Sequence, residues 1–122
     1  MTVLVDTSLV AGTATTGIEE PFAVSVVTVG ELRLGVLLAD TPAMRTGRLA
    51  RLTAILESAT VLPVDDAVAS QYAELLAATG RLPTNDLWIA ATAAAHNLLL
   101  VTGDERQSKL AGLRTQHVPS SS

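Results

Sequence analysis

The chain has 122 residues, 48% of them hydrophobic, and a formal net charge of −4 from twelve acids and eight bases. That length suits one domain with a sizeable core, and the absence of cysteine excludes both a disulfide and a thiolate metal site. The acidic balance is opposite to that of a module holding nucleic acid by phosphate contacts alone; it leaves room for a protein that reaches phosphate through a bound cation, or whose regular partner is basic. The start lacks the basic, apolar and small-residue segments of a secretory signal, and no apolar run reaches the ~20 residues of a membrane helix. The expectation is a cytoplasmic protein with no membrane contact.

Thr2 to Val5 is a short β-branched run ended by Asp6, Thr7 and Ser8, which predicts a strand with a polar end able to cap the next segment. Leu9 to Gly17 is rich in Ala, Gly and Thr and supports at most a short helix, with loop through Glu20 and Pro21. Phe22 to Val24 reads as a brief strand, and Ser25 as the N-cap of a helix from about Val26 to Ala39. Helical spacing puts Glu31 on one stripe with Val27, Leu34 and Leu38, so this carboxylate is expected among hydrophobes with no basic neighbour on its own helix. Its partner must come from elsewhere, or be water.

Thr41 and Pro42 give an N-cap and first-turn proline for a helix over Ala43 to Glu57. Arg45, Arg48 and Arg51 recur every third residue along it, a basic stripe that reads first as a solvated face and second as a contact for RNA phosphate or an acidic partner. Thr60 to Val64 is a strand broken by Pro63, and Asp65 or Asp66 caps a helix running to Gly80. Pro83, Thr84 and Asn85 form a turn and N-cap, Asp86 to His96 an alanine-rich buried helix, and Asn97 its close. Leu98 to Val101 is an apolar run expected to be a strand buried on both faces, after which Thr102, Gly103 and Asp104 turn outward. Asp104 to Leu110 predicts a short helical turn, Thr115 to Val118 an edge strand, and Pro119 to Ser122 a disordered tail. Strands alternating with helices throughout imply an α/β domain over residues 1–118 with a mainly parallel sheet covered on both faces. His96 and His117 carry little weight as catalysts, and Trp88 reads as core rather than as a platform for a base.

Four acids stand out by position: Asp6 after the first strand, Glu31 on an apolar helical face, Asp86 at a helix start and Asp104 after a late strand. Each has an ordinary explanation as a cap, an ion-pair partner or a loop residue. In a right-handed parallel sheet, however, residues past the carboxyl ends of strands and at the starts of following helices converge on one edge. Four converging carboxylates repel one another unless a divalent cation sits between them. Magnesium or manganese suits all-oxygen ligands and activates water against a phosphodiester, so the constellation points to metal-dependent phosphodiester hydrolysis.

The blocks VDTS at 5–8, SVVTVGELRLGVL at 25–37, TNDLWIAATA at 84–93 and LVTGD at 100–104 resemble the PIN-domain ribonucleases, and more narrowly the VapC toxins of bacterial toxin-antitoxin pairs. The likeness runs through nearly the whole chain in order; ELRLG and NDxxIAA are fairly specific, whereas DTS alone is weak. It implies a three-layer α/β/α, PIN-like fold with Asp6, Glu31, Asp86 and Asp104 as the acidic site for Mg2+ or Mn2+. Ser8 and Thr102 are then the polar groups that orient those carboxylates. It also implies an endoribonuclease acting on transfer RNA or other structured RNA, a homodimer, and a VapB-like antitoxin that fills the acidic groove. The chain departs from the family in two places. Glu105, Arg106, Gln107 and Ser108 follow Asp104 where members commonly carry an Asp-Phe pair, and the interval from Asp6 to Glu31 is short. The first departure favours a catalytically weak or inactive PIN fold as the alternative. A receiver or haloacid dehalogenase-like phosphotransfer domain is a further rival of similar size; it lacks its marks here, with Ser8 standing where the dehalogenase motif needs a second aspartate.

Overall fold

In a computed structural model of the chain, residues 3–10, 21–79, 84–103 and 114–117 are described. Among them, β1 (Val3–Val5), β2 (Ala23–Ser25), β3 (Thr60–Leu62), β4 (Leu99–Thr102) and β5 (Thr115–His117) make one sheet in the order β3-β2-β1-β4-β5. Every pairing is parallel, with Leu4 opposite Ala23 and Leu100, Val24 opposite Val61, and Val101 opposite Gln116. The order reverses direction at β1, whose two neighbours are β2 and β4. This is where an open parallel sheet leaves a crevice beyond its strand ends. It also differs from the 2-1-3-4-5 order of receiver domains, which removes that rival.

Alternate residues of the strands feed two separate cores. Leu4, Ala23, Leu62 and Leu100 pack on one face with α4 (Asp66–Thr79) and α5 (Thr84–Ala95), while Val5, Val24 and Val101 pack on the other with Leu9 and Val10 of α1 (Thr7–Val10), Val29 of α2 (Val26–Leu37), and Leu52 and Ile55 of α3 (Pro42–Ser58). The sheet is therefore the middle of three layers, and β4 is buried on both sides as its uninterrupted apolar run predicts. Ala90, Ala91 and Ala93 of α5 are wholly buried, so the helix backbone lies close to the sheet. Trp88 packs against the same core and stacks on Tyr72 of α4 at 3.8 Å between ring centroids, in keeping with a core residue.

The helix ends follow local chemistry. Ser25 Oγ accepts from Val27 N at 3.0 Å, Thr41 Oγ1 from Met44 N at 3.1 Å, and Asp65 Oδ1 from Val68 N at 3.0 Å, so each helix begins at the predicted cap. α5 begins earlier than expected: Thr84 and Asn85 form its first turn instead of preceding it. β3 stops at Leu62, because Pro63 has no N–H to continue the ladder. Asn97 takes φ 53°, and Leu98 N donates to Ala93 O at 2.9 Å, a left-handed helix close that reverses the chain into β4. Asn97→Ala is expected to cost about 1 kcal/mol, since a Cβ without a compensating polar group is disfavoured there; Asn97→Gly should be close to neutral. Thermal melts of the two variants check this.

One expectation fails in α2. The stripe through Glu31 is not apolar core, because Leu34 is 53% exposed and Leu38 65%. Thr28 and Val29, in the first half of the helix, are its buried residues; in the second half Leu32 and Val36 pack only partly buried against the core shared with α3, and the outer face is left exposed. The predicted turn over 104–110 and the terminal tail lie outside the described residues, as does most of the segment from Leu9 to Gly17.

Candidate active site at the strand ends

Asp6 directly follows β1, and its backbone N–H donates to Val101 O at 2.9 Å, fixing the residue beside the end of β4. Its carbonyl accepts from Leu9 N and Val10 N, which starts α1. The side chain is free of that capping role. One oxygen, Oδ2, accepts from Ser8 Oγ at 2.7 Å and from Thr102 Oγ1 at 3.0 Å. Ser8 Oγ in turn accepts from Gly103 N at 3.0 Å, so two strand ends are tied around a single carboxylate. The other oxygen, Oδ1, is buried and has no hydrogen-bond partner among the described residues, in a residue only 2% exposed. A buried anionic oxygen left bare is costly, and a cation is the group that would satisfy it.

Glu31 is half-buried on α2, which leaves the carboxyl end of β2 without an intervening loop. Thr7 Oγ1 donates to Glu31 Oε1 at 2.7 Å and lies 2.8 Å from Thr28 Oγ1. The residue next to Asp6 thus holds Glu31 on the same side of the sheet. Composition and spacing did not single out Thr7 or Thr28. The available signal was that Thr28 precedes Glu31 by three residues and so shares its helical face, and that Thr7 lies between two residues already of interest.

Asp86 is the third residue of α5 and is half-buried. α5 reverses through Asn97 straight into β4, so its N-terminus lies toward the end of the sheet where β4 terminates. That is the side occupied by Asp6. Asp104 lies outside the described residues, and among those described no three acidic or histidine side chains gather into a group able to enclose a metal. Glu31 is therefore tied to Thr7, the residue next to Asp6, whereas Asp86 is placed by the direction of its helix alone. His96 is exposed at the end of α5 and His117 approaches Gly103 O at 3.3 Å.

The donor set fits a hard cation. Magnesium keeps several waters and needs only one or two carboxylates, so Asp6 Oδ1 does not require a closed protein cage around the ion. Ser8 and Thr102, predicted to orient the site, both contact Asp6. Thr102→Val keeps the shape and removes the 3.0 Å bond to Oδ2. It is expected to weaken manganese binding, read by calorimetry, by roughly 10-fold to 100-fold.

A family model described as PIN domain matches residues 3–113. Ribonuclease VapC5 of Mycobacterium tuberculosis is 46% identical over 99 residues, covering 78% of this chain and 73% of that protein. Ribonuclease VapC4 of the same organism is 42% identical over 111 residues, covering 83% and 85%. Among solved structures, VapBC-5 from Mycobacterium tuberculosis, a member of the VapBC family of toxin-antitoxin systems, superposes with a TM-score of 0.81 at 38% identity, covering 98% of each chain.

Proposed function

This chain belongs to the PIN-domain family and is homologous to the ribonucleases VapC4 and VapC5, and on that premise we propose that it is a metal-dependent endoribonuclease toxin neutralised by a VapB-like antitoxin. The observation that carries the reading is Asp6 Oδ1, a buried carboxylate oxygen without a partner among the described residues, at the crevice between β1 and β4. Asp6, Glu31, Asp86 and Asp104 would hold Mg2+ or Mn2+. Such an ion, when bound, supplies an activated water and neutralises charge on the phosphodiester. Ser8 and Thr102 fix the Asp6 carboxylate, and Thr7 with Thr28 fixes Glu31, so the acids stand oriented before substrate arrives.

Hydrolysis adds water across one P–O bond of the RNA backbone. A structured RNA such as transfer RNA offers this site a single-stranded loop, whose bases splay and leave the phosphate accessible. The net charge of −4 suits an antitoxin that presents arginine or lysine to the acidic groove. Leu34, Leu37 and Leu38 are exposed together at the end of α2, an apolar surface of the kind that protein partners cover, whether the antitoxin or a second copy in a homodimer.

Metal-stripped protein is expected to cleave RNA only after Mg2+ or Mn2+ is restored and to stop on chelation. Cleavage indifferent to chelator would contradict the proposal. The lack of the usual Asp-Phe pair in Glu105, Arg106, Gln107 and Ser108 after Asp104 favours a second reading, a PIN fold that binds its partner without cutting. In that case the same titration shows neither ion uptake nor cleavage.

A further inference from the structure

The basic stripe on α3 is solvated at Arg45 and Arg48, both exposed, but two of its arginines are also anchored to the main chain. Arg48 Nη1 donates to Gly35 O at 2.6 Å, and Arg51 Nη1 to Val10 O at 3.3 Å, with Arg51 half-buried. Both anchors are neutral main-chain carbonyls, and no carboxylate of the described residues pairs with either guanidinium. In a chain with more acids than bases, two cations held this way are conspicuous. A guanidinium has five N–H donors, so one bond to a carbonyl sets its plane and leaves the rest of the fork for an anion.

These two side chains form one wall of a cleft of about 230 Å³, which Thr7, Glu31, Leu32 and Gly35 complete. Thr7 is the residue that joins this cleft to Asp6, its neighbour in the chain, so the basic wall stands beside the candidate metal site. The cleft is below the ~300–1,000 Å³ typical of small-molecule pockets, so it takes a charged group and not a whole ligand. A larger groove along α3, about 540 Å³, has Arg51 as its one charged side chain among the described residues that line it.

We propose that Arg48 and Arg51 form a phosphate subsite, which grips an RNA backbone phosphate next to the one positioned for cleavage at the carboxylates. The inference rests on the ribonuclease reading and extends it with two positioning residues. An arginine fork matches phosphate bidentately, and one anchored bond reduces the freedom lost on binding. The arrangement also gives an acidic protein local purchase on a polyanion that its net charge would repel.

The test uses full-length R48Q/R51Q, R48K/R51K and R48Q alone, with a fluorescein-labelled single-stranded RNA of mixed sequence as probe. Binding is measured in EDTA against salt concentration, and cleavage in Mn2+. R48Q/R51Q is expected to weaken binding and raise KM by about tenfold or more with kcat little changed. The slope of log K against log salt should fall by about 0.7 for each phosphate that the protein no longer neutralises. R48K/R51K should restore most of the slope, which a purely structural role for the arginines would not do. R48Q keeps the half-buried Arg51, so a weakened but folded single variant guards against misfolding of the double one. Unchanged affinity and slope in folded R48Q/R51Q would overturn the subsite while the parent protein still cuts RNA. Retained RNA affinity with lost binding of a polyglutamate peptide would overturn it too, assigning the cleft to an acidic peptide. A parent protein that neither binds nor cuts RNA overturns the ribonuclease reading, and the subsite falls with it.

Discussion

Asp6→Asn is expected to reduce metal-dependent RNA cleavage by at least about a hundredfold while leaving the fold intact. Loss of even an outer partner of a metal ligand costs 10-fold to 100-fold, and here the ligand itself changes. The asparagine is nearly isosteric, and its amide oxygen still accepts from Ser8 and Thr102 in place of Oδ2. What disappears is the negative charge on a group whose second oxygen is buried without a partner among the described residues. Removing such a charge relieves a burial cost that the unpaired amide N–H groups in its place partly restore, so metal-free Asp6→Asn should melt close to the metal-free parent. With metal the two separate. An ion at one hundred times its Kd stabilises the parent by about 2.7 kcal/mol, a rise of several degrees that the variant should not show. Melting curves with and without Mn2+, beside a cleavage assay, read both effects. Equal metal-induced shifts in the two proteins would remove Asp6 from the site.

Leu100→Ala is expected to destabilise the protein by about 2 to 5 kcal/mol, the largest change foreseen for a single core residue. Leu100 is wholly buried in β4, on the sheet face that packs against α4 and α5. The helices and the two strands beside β4 cannot all close into the space left by the side chain, so a cavity remains. A denaturant titration should show the midpoint falling with little change in slope. Activity should fall only in proportion to the unfolded fraction. A variant that stays folded at the assay temperature yet loses cleavage would mean that β4 positions the carboxylates more delicately than its packing suggests.

How far the sequence reveals this site depends on what each residue answers to. Asp6 is legible because a short apolar run marks the strand that it ends, whereas the roles of Ser8 and Thr102 follow only from the resemblance to the PIN-domain ribonucleases. Ser25, Thr41 and Asp65 cap as predicted because capping is decided within three residues. Glu31 is harder. Its spacing correctly puts it on one helical face, but whether that face is buried depends on where the sheet ends beneath α2, a long-range fact. The exposed Leu34 and Leu38 show the error, and Thr7, 24 residues away, is the partner that the helix could not supply. The anchoring of Arg48 and Arg51 is hidden for the same reason, although the stripe is exposed at Arg45 and Arg48 as read. A three-residue spacing reveals a stripe, whereas the carbonyls that anchor it come from Gly35 and Val10, on other elements. The switch at β1 is topological, and no local pattern carries it; it emerges once β4 pairs with β1 opposite β2.

Whether a hard cation belongs at the buried free oxygen of Asp6 is tested most directly by anomalous scattering from crystals of the protein soaked in Mn2+. A single strong peak is expected within bonding distance of Asp6 Oδ1, about 2.0 to 2.2 Å, with oxygen ligands around it. A peak elsewhere, with Oδ1 still bare, would contradict the metal site and the hydrolysis built on it.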